Sequence, residues 1–299
     1  MSQPQPVSAF AKVNLHLQLV GRRPDGYHEL RTLFQTIELA DTLEIEVRDG
    51  RGVELEVEGS EIPSGPENLA ARAATGYLER WGRGRGARIR LRKRIPVGAG
   101  LGGGSSDAAA VLRELDDRIG PAPPGELWGL ARDLGADVPY FLLGGTAMGV
   151  GRGDELIPVP DLEPRTLWIV VPPWKSPTEE VYGALTERGG RLTGDPLDPR
   201  IAVPLGRGEL DWETVARGRN DLESVVFSRR PELRATRDAL AKRARFVRLS
   251  GSGSALFALP DEGSDGGVPA LPPGWELHRA ETLTRAGLEG RRARREEPG

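Results

Sequence analysis

Hydrophobic and polar residues alternate along the beginning of the chain. Every second residue from Val7 to Leu19 is apolar, and Lys12, Asn14 and His16 lie at positions between them. This period of two is typical of a strand with one buried face, and it places the three polar side chains together on the other face. Two further alternating runs, "TLEIEV" and "VELEVE", flank residues 49–52 and predict a β-hairpin.

Apolar residues at helical spacing follow in the next part of the chain. A helix is predicted over residues 68–81, and "ARIRLRKRI" predicts a half-exposed strand. A second helix begins near Ser105 and Ser106, since apolar residues recur there at intervals of three and four (Ala108, Val111, Leu112, Leu115). A third helix is predicted around residues 127–134, and Gly135 is placed to end it.

The second half of the chain gives fewer predictions. "GGTAMGVGRGDEL" predicts a strand, "VPDLEP" a linker, "TLWIVVP" a central strand, and "FVRLSGSGSALFAL" two strands joined by a glycine turn. Residues 183–219 are rich in Gly, Pro and Arg and predict no element. A length of 299 residues favours two domains. We expect these domains at residues 1–157 and 165–284, followed by a frayed tail at residues 285–299.

Composition narrows the possible functions. The net charge of −3 argues against nucleic-acid binding, which usually requires a basic excess. No run of 18 apolar residues occurs, so no membrane span is expected. The first ten residues lack the features of a signal peptide, which favours the cytoplasm. The absence of cysteine excludes disulfides and thiolate chemistry. Small molecules are therefore the expected partners, and the oligomeric state stays open.

Five of the seven residues from Gly98 to Gly104 are glycine, directly before a predicted helix. The segment fits G-x-G-x-x-G, but a dinucleotide fold needs a fully buried strand before it, and "ARIRLRKRI" is too charged. The P-loop pattern fails because no Lys-Ser or Lys-Thr follows. Converging backbone N–H groups and a helix start suit a polyphosphate, and a flexible connector is the alternative. The predicted phosphate-binding residues are Pro96, Val97, Gly98, Ala99, Gly100, Leu101, Gly102, Gly103, Gly104, Ser105 and Ser106.

The sequence resembles a known superfamily at several motifs. "PVGAGLGGGSSDAAA" is similar to the phosphate-binding motif of the GHMP kinases, which act on small molecules. "RRPDGYHEL", "LGADVPYFLLGGTAMGVGRGDEL" and "LSGSGSALFAL" resemble one branch, which phosphorylates the 2-hydroxyl of a cytidyl diphosphate sugar alcohol in the non-mevalonate isoprenoid pathway. The resemblance implies a two-domain α+β fold with the active site in the cleft, and ATP with Mg²⁺ at the glycine-rich loop. It identifies no metal ligands.

The resemblance also implies a catalytic pair, Lys12 and Asp137. Only four of the 41 basic residues are lysines, and Lys12 lies on a strand face beside Asn14, so it stands apart from the arginine-rich surface. A lysine there can stabilise charge on a phosphoryl group, and a salt bridge is the structural alternative. Asp137 lies among apolar neighbours, where a carboxylate requires a partner or a task; the alternative is a turn residue before proline.

Four residues are implied as contacts to the acceptor substrate. Asn14, Tyr27 and His28 match the family's cytidine and diphosphate contacts, and Tyr182 is a second candidate stacking ring. An aromatic ring can stack on a pyrimidine, whereas turn residues are the structural alternative for Tyr27 and His28. A different GHMP kinase, or a non-catalytic ATP-binding protein, stays possible from the sequence.

Overall fold

The computed structural model describes residues 5–24, 26–60, 62–187, 197–261, 263 and 267–293. Within these ranges, the first half of the chain contains one mixed sheet and four helices: β1 (Pro6–Arg22), β2 (His28–Asp49), β3 (Val53–Glu58), α1 (Leu69–Trp81), β4 (Arg85–Arg92), α2 (Gly103–Ile119), α3 (Glu126–Leu134), α4 (Val138–Leu143), β5 (Thr146–Gly151) and β6 (Glu155–Pro158). The strand order is β3-β4-β2-β5-β6, and β1 also pairs with β2.

The first strand is buried on both faces, which differs from the prediction of one buried face. The polar residues Lys12, Asn14 and His16 are only 3%, 2% and 0% exposed. The second half of the chain lies over this face, where the N–H of Arg219 donates to Nδ1 of His16 at 3.2 Å. β1 therefore joins the two halves of the molecule.

The predicted hairpin between β2 and β3 is wrong, because β4 lies between these strands. β4 pairs antiparallel with β2 and parallel with β3. Both outer strands carry glutamates, so direct pairing would bring like charges together. Arg90 on β4 lies instead 3.6 Å from Glu44 and 3.2 Å from Glu56. Gly86 lets β4 enter beneath the turn, since a Cβ there would lie 2.6 Å from the Gly52 carbonyl oxygen.

The three helices predicted from apolar spacing are present. α1 begins after Asn68, whose side chain accepts a hydrogen bond from the N–H of Ala70 at 2.9 Å. α2 begins at Gly103, slightly before the predicted start, and α3 ends at Gly135. Their apolar faces pack against the first sheet around Tyr77 and form its core.

The second half of the chain contains an antiparallel sheet with the order β10-β7-β9-β8. Its elements are β7 (Thr166–Val171), α5 (Thr178–Glu187), α6 (Pro199–Gly206), α7 (Trp212–Ala216), α8 (Glu223–Arg229), α9 (Pro231–Leu240), β8 (Ala244–Leu249), β9 (Leu256–Pro260), β10 (Glu276–Glu281) and α10 (Arg285–Ala293). β7 is internal, and β8 and β9 flank a glycine turn, as predicted. α6 and α7 lie in the region that gave no prediction.

The predicted frayed tail is wrong for residues 285–293, which form α10. Arg285 at its start donates to the carbonyl of Thr146 at 2.7 Å, and Leu288 is only 2% exposed beside Phe10. These contacts to the first sheet hold the helix in spite of its charged sequence. Residues 294–299 lie outside the described residues. The predicted domain ranges stay a prediction, although residues 159–165 do connect the two sheets.

No helix within the described ranges is both long and apolar enough to cross a membrane.

Candidate active site

A large cavity, about 1260 Å³ in volume, brings together residues that are far apart in the sequence. Its walls come from β1, the start of β2, the glycine-rich loop, the residue before α4, and α5. The predicted site residues that line it are Lys12, Asn14, Tyr27, His28, Pro96, Val97, Gly98, Ala99, Gly100, Leu101, Gly102, Gly103, Gly104, Ser105, Asp137 and Tyr182.

The glycine-rich loop presents the start of α2 to this cavity. Gly98, Gly100 and Gly102 have φ values of 73°, 77° and 73°, which L side chains rarely adopt. At Gly100 a Cβ would lie 2.1 Å from the Ser250 carbonyl oxygen, so the loop packs closely against the second half. The first N–H groups of α2, from Gly103, have no partners within the helix and can bind an anion.

Ser106 is the predicted loop residue that does not face the cavity. Its hydroxyl donates to the carbonyl of Phe10 at 2.6 Å, and its N–H donates to the carbonyl of Gly102 at 2.9 Å. Ser106 is 2% exposed, so it anchors α2 to β1. The neighbouring Ser105 does line the cavity.

The ammonium group of Lys12 lies between the loop and the acidic residue before α4. It donates to Oδ1 of Asn14 at 2.6 Å and to the carbonyl of Gly100 at 2.9 Å. Its third neighbour is Oδ2 of Asp137 at 3.5 Å. Burial lowers the pKa of Lys12, and the nearby Asp137 carboxylate partly opposes this effect. The three contacts fix the ammonium beside the loop.

Asp137 lies directly before α4, and its side chain is 35% exposed while that of Lys12 is 4% exposed. The carboxylate makes no capping hydrogen bond to α4. It is therefore accessible from the cavity while paired with a buried cation. A carboxylate so placed can accept a proton from a bound hydroxyl group.

Aromatic and basic side chains line another part of the cavity. The His28 and Tyr182 rings are 5.0 Å apart, and Tyr27 is 56% exposed. The Arg152 guanidinium lies 5.1 Å from the Tyr27 ring centroid. Burial, with a smaller effect from Arg22, lowers the pKa of His28, which favours the neutral ring, in which one nitrogen donates and the other accepts. These groups suit a planar, polar base.

Comparisons with known proteins agree with this geometry. The family models for the GHMP kinases N terminal domain and the GHMP kinases C terminal domain match residues 68–145 and 208–267. The 4-diphosphocytidyl-2-C-methyl-D-erythritol kinase of Solibacter usitatus is 44% identical over 84% of this chain and 79% of its own length. The kinase of that name from Thermus thermophilus is 46% identical over 86% of this chain and 88% of its own. The chain belongs to the 4-diphosphocytidyl-2-C-methyl-D-erythritol kinase family.

Solved structures extend the comparison to the fold. A crystal structure of 4-(cytidine 5'-diphospho)-2C-methyl-D-erythritol kinase superposes with a TM-score of 0.75 at 41% identity, covering 93% of this chain and 98% of the other. The Methanococcus jannaschii mevalonate kinase superposes with a TM-score of 0.71 at 15% identity, covering 94% and 99%. The second likeness shows a shared fold. Together they confirm the predicted GHMP-kinase-like α+β fold.

The cavity of this kinase is also lined by residues that the sequence did not predict as site residues. Arg152 belongs to the quoted "GVGRGDEL" segment, yet its contact with Tyr27 joins residues 125 positions apart. Asn68 and Leu69 line the cavity at the start of α1. Lys93 and Asp107 line it behind the loop. The rarity of lysine could have indicated Lys93, but its two buried acidic partners are visible only in the fold.

Proposed function

We propose that this chain transfers the γ-phosphoryl group of ATP to the 2-hydroxyl of 4-diphosphocytidyl-2-C-methyl-D-erythritol. One observation carries the proposal: a single cavity contains the glycine-rich loop, the Lys12–Asp137 pair, and the Tyr27, His28 and Tyr182 rings. These features supply a phosphate site, a proton acceptor beside a cation, and a site for a pyrimidine. The names of the relatives support the same reaction.

In this proposal the loop and the start of α2 bind the phosphates of ATP through backbone N–H groups. Mg²⁺ enters as part of the MgATP substrate, in which phosphate oxygens and water supply most of its ligands. Across the ranges that the structure describes, no group of three or more His, Asp or Glu residues could hold a metal by itself. ATP is a cytoplasmic substrate, so we place the reaction in the cytoplasm.

Asp137 accepts the proton of the acceptor hydroxyl as the bond to phosphorus forms. Lys12 pairs with the Asp137 carboxylate at 3.5 Å and stabilises negative charge on the phosphoryl group during transfer. Its hydrogen bond to the Gly100 carbonyl aligns the loop with this pair. Positioning and electrostatics dominate phosphoryl transfer, so no covalent enzyme intermediate is required.

Tyr27 and Tyr182 contact the cytosine ring, and neutral His28 hydrogen-bonds to its polar edge. Asn14 donates to Oγ1 of Thr32 at 2.8 Å and accepts from Lys12, so its amide is held in one orientation at the cavity wall. A fixed polar group there can orient the sugar alcohol next to Asp137.

A coupled assay of ADP release tests the proposal. The acceptors are 4-diphosphocytidyl-2-C-methyl-D-erythritol, mevalonate and homoserine, each with MgATP. We expect turnover with the cytidyl acceptor alone, and loss of that turnover in the Asp137→Asn protein, which excludes a contaminating kinase. Preferred turnover of mevalonate or homoserine would assign the chain to another GHMP activity. ATP binding without turnover of any acceptor would contradict the kinase proposal.

A further inference from the structure

Three charged residues form a buried group behind the glycine-rich loop. Nζ of Lys93 donates to Oδ2 of Asp107 at 2.7 Å and also to Oδ2 of Asp41. Lys93, Asp41 and Asp107 are 7%, 0% and 1% exposed. None of them belongs to the catalytic groups described above. Charged groups that are this deeply buried require partners of opposite charge, and here two carboxyl groups share one ammonium group.

The two carboxyl groups are not equivalent. Oδ1 of Asp41 also accepts from the N–H groups of Arg94 and Ile95 at 2.6 and 2.9 Å, so the Asp41 carboxylate accepts three hydrogen bonds in all. Asp107 has Lys93 as its donor, and its buried Oδ1 has no hydrogen-bond partner in the described part of the chain. Burial is the main cause that raises the pKa of Asp107 to about 8; Lys93 opposes this effect, and Asp41 adds to it.

This group lies directly behind the predicted phosphate site. Lys93 and Asp107 line the same cavity as the loop, and Asp107 is on the second turn of α2. A Cβ at Gly103, the first residue of α2, would lie 3.2 Å from Nζ of Lys93. The charge of the group therefore acts at the helix start that faces the phosphates.

We propose that Asp107 is a positioning residue for the nucleotide, and that its carboxyl group holds a proton while ATP is bound. When Asp107 holds that proton, the negative charge of Asp41 and the positive charge of Lys93 cancel, and the group behind α2 has no net charge. Without it, two carboxylates around one ammonium leave a net negative charge beside the phosphates, and ATP is repelled. The inference rests on the proposed function in that ATP must bind at the loop.

Among the described residues, two charged groups act directly on Asp107. The groups that act on the charge of Asp107 are Asp41 on β2 and Lys93 after β4. On β1 and before α4, Lys12 and Asp137 pair with each other at 3.5 Å. Because the form of Asp107 that binds ATP is the protonated form, ATP affinity falls as pH rises through about 8.

Calorimetric titration with a non-hydrolysable MgATP analogue at pH 7, 8 and 9 tests the inference. We expect the wild-type dissociation constant to rise by roughly tenfold from pH 7 to pH 9. Asp107→Asn keeps the shape and the acceptor for Lys93 but cannot lose a proton there. Its affinity should match the wild type at pH 7 and stay constant to pH 9. Glu114→Gln, the same change on α2 two turns away, should keep the wild-type slope.

A second readout needs no variant. Titration at pH 8.5 in two buffers of different ionisation enthalpy should show uptake of roughly 0.8 proton on binding of the analogue to the wild type. A pH-independent wild-type affinity, or no proton uptake, overturns the inference and leaves the proposed function intact. A slope that persists in Asp107→Asn also overturns it, since a group other than Asp107 would then be responsible for the pH dependence. No binding at any pH overturns the proposed function together with the inference.

Discussion

Two buried lysines in the same cavity differ in what surrounds them. Lys93 faces two carboxyl groups, and although burial lowers its pKa, these partners outweigh burial and raise it. Lys12 faces an amide oxygen, a backbone carbonyl and one partly exposed carboxylate, so burial dominates and its pKa is lowered. The positive charge of Lys93 is therefore fully neutralised by protein groups. The positive charge of Lys12 stays available to a phosphoryl group, in agreement with the catalytic role that we propose for it.

The sequence alone distinguishes the environments of Lys12 and Lys93 only in part. Lysine is rare in this chain, and the strand pattern placed Lys12 beside Asn14, a relation between neighbours along one strand. The partners that distinguish the two lysines are distant in sequence: Asp137 for Lys12, and Asp41 and Asp107 for Lys93. Periodicity reports only which face a residue occupies, so it cannot supply contacts between elements.

Replacement of Asp137 by asparagine should abolish most turnover while ATP binding is retained. The amide preserves the shape but removes the proton acceptor and the partner of Lys12, so we expect kcat to fall by about 10²–10⁴-fold. Steady-state kinetics and a binding titration with ATP measure the two effects. Asp133→Asn is the matched control, since this exposed carboxylate on α3 pairs only loosely with Arg80 at 3.7 Å. A kcat near the wild-type value would remove Asp137 from the mechanism.

Tyr27 tests recognition of the cytosine ring. Because the Tyr27 ring is 56% exposed at the cavity wall, where it can stack on a base, Tyr27→Ala should weaken acceptor binding by about 1–3 kcal/mol, or roughly five- to 150-fold in KM, with KM for ATP unchanged. Tyr27→Phe keeps the ring and its contact with Arg152, so it should recover most of the loss. Kinetics of both substrates, with thermal melts to confirm folding, decide the outcome. Normal acceptor KM in folded Tyr27→Ala would place the base elsewhere.

At the scale of elements, the loop combines glycines that the fold requires with glycines that leave space for a ligand. Gly100 belongs to the first kind, because its φ is 77° and a Cβ would collide with the Ser250 carbonyl. Gly104 belongs to the second kind, because it lies in the first turn of α2 and a Cβ would meet only Leu69, at 3.6 Å. The sequence predicted the phosphate loop but could not distinguish these two kinds.

Gly104→Val should therefore obstruct ATP without unfolding the protein. We expect KM for ATP to rise by about tenfold or more, or about 1.4 kcal/mol, and KM for the cytidyl acceptor to stay constant. Gly129→Val on α3 provides the control, since a Cβ at Gly129 meets no atom within 4 Å and the residue does not line the cavity. Unchanged ATP kinetics in a folded Gly104→Val protein would contradict the assignment of the loop.

The order of the strands shows where local patterns stop being informative. Alternation predicted β2 and β3 correctly as strands, but their closeness in sequence suggested a hairpin. The charges on the strands contained the missing information, since glutamates on both strands require the arginines of β4 between them. In α10, by contrast, the sequence itself was misleading. Its arginine-rich residues indicated a solvated tail, but contacts with Thr146 and Phe10, which are distant in sequence, hold these residues as a helix.

At the scale of the whole molecule, β1 connects the catalytic cavity to the junction between the halves. Lys12 and Asn14 face the cavity. His16, two residues further along β1, contacts Arg219 in the second half of the chain. Arg248 from β8 donates to the carbonyls of Leu15 and, at 2.7 Å, Gly218. The junction thus contains buried polar groups beside the apolar contacts between β1 and the second sheet, and its stability depends in part on the charge state of those polar groups.

His16 makes that dependence measurable. Burial, and then the charges of Arg248 and Arg219, lower the pKa of His16 from 6.5 to about 4. The unfolded chain thus binds more protons between pH 4 and 6.5, and stability must fall as pH falls through that window. From pH 7 to pH 5 the contribution of His16 is a loss of about 2 kcal/mol in unfolding free energy.

Urea unfolding at pH 5, 6 and 7 tests this prediction in three proteins. His16→Asn keeps an acceptor for the Arg219 N–H but cannot be protonated, so its loss of stability on acidification should be smaller than that of the wild type by about 2 kcal/mol. His278→Asn is the control, because His278 is a partly exposed residue beside Glu276 on β10 and should leave the wild-type slope unchanged. The comparison between variants cancels the contribution of carboxylates that titrate in the same range. Equal slopes in all three proteins would mean that His16 accepts a proton without disturbing the junction, and that the two halves are held together by their apolar core instead.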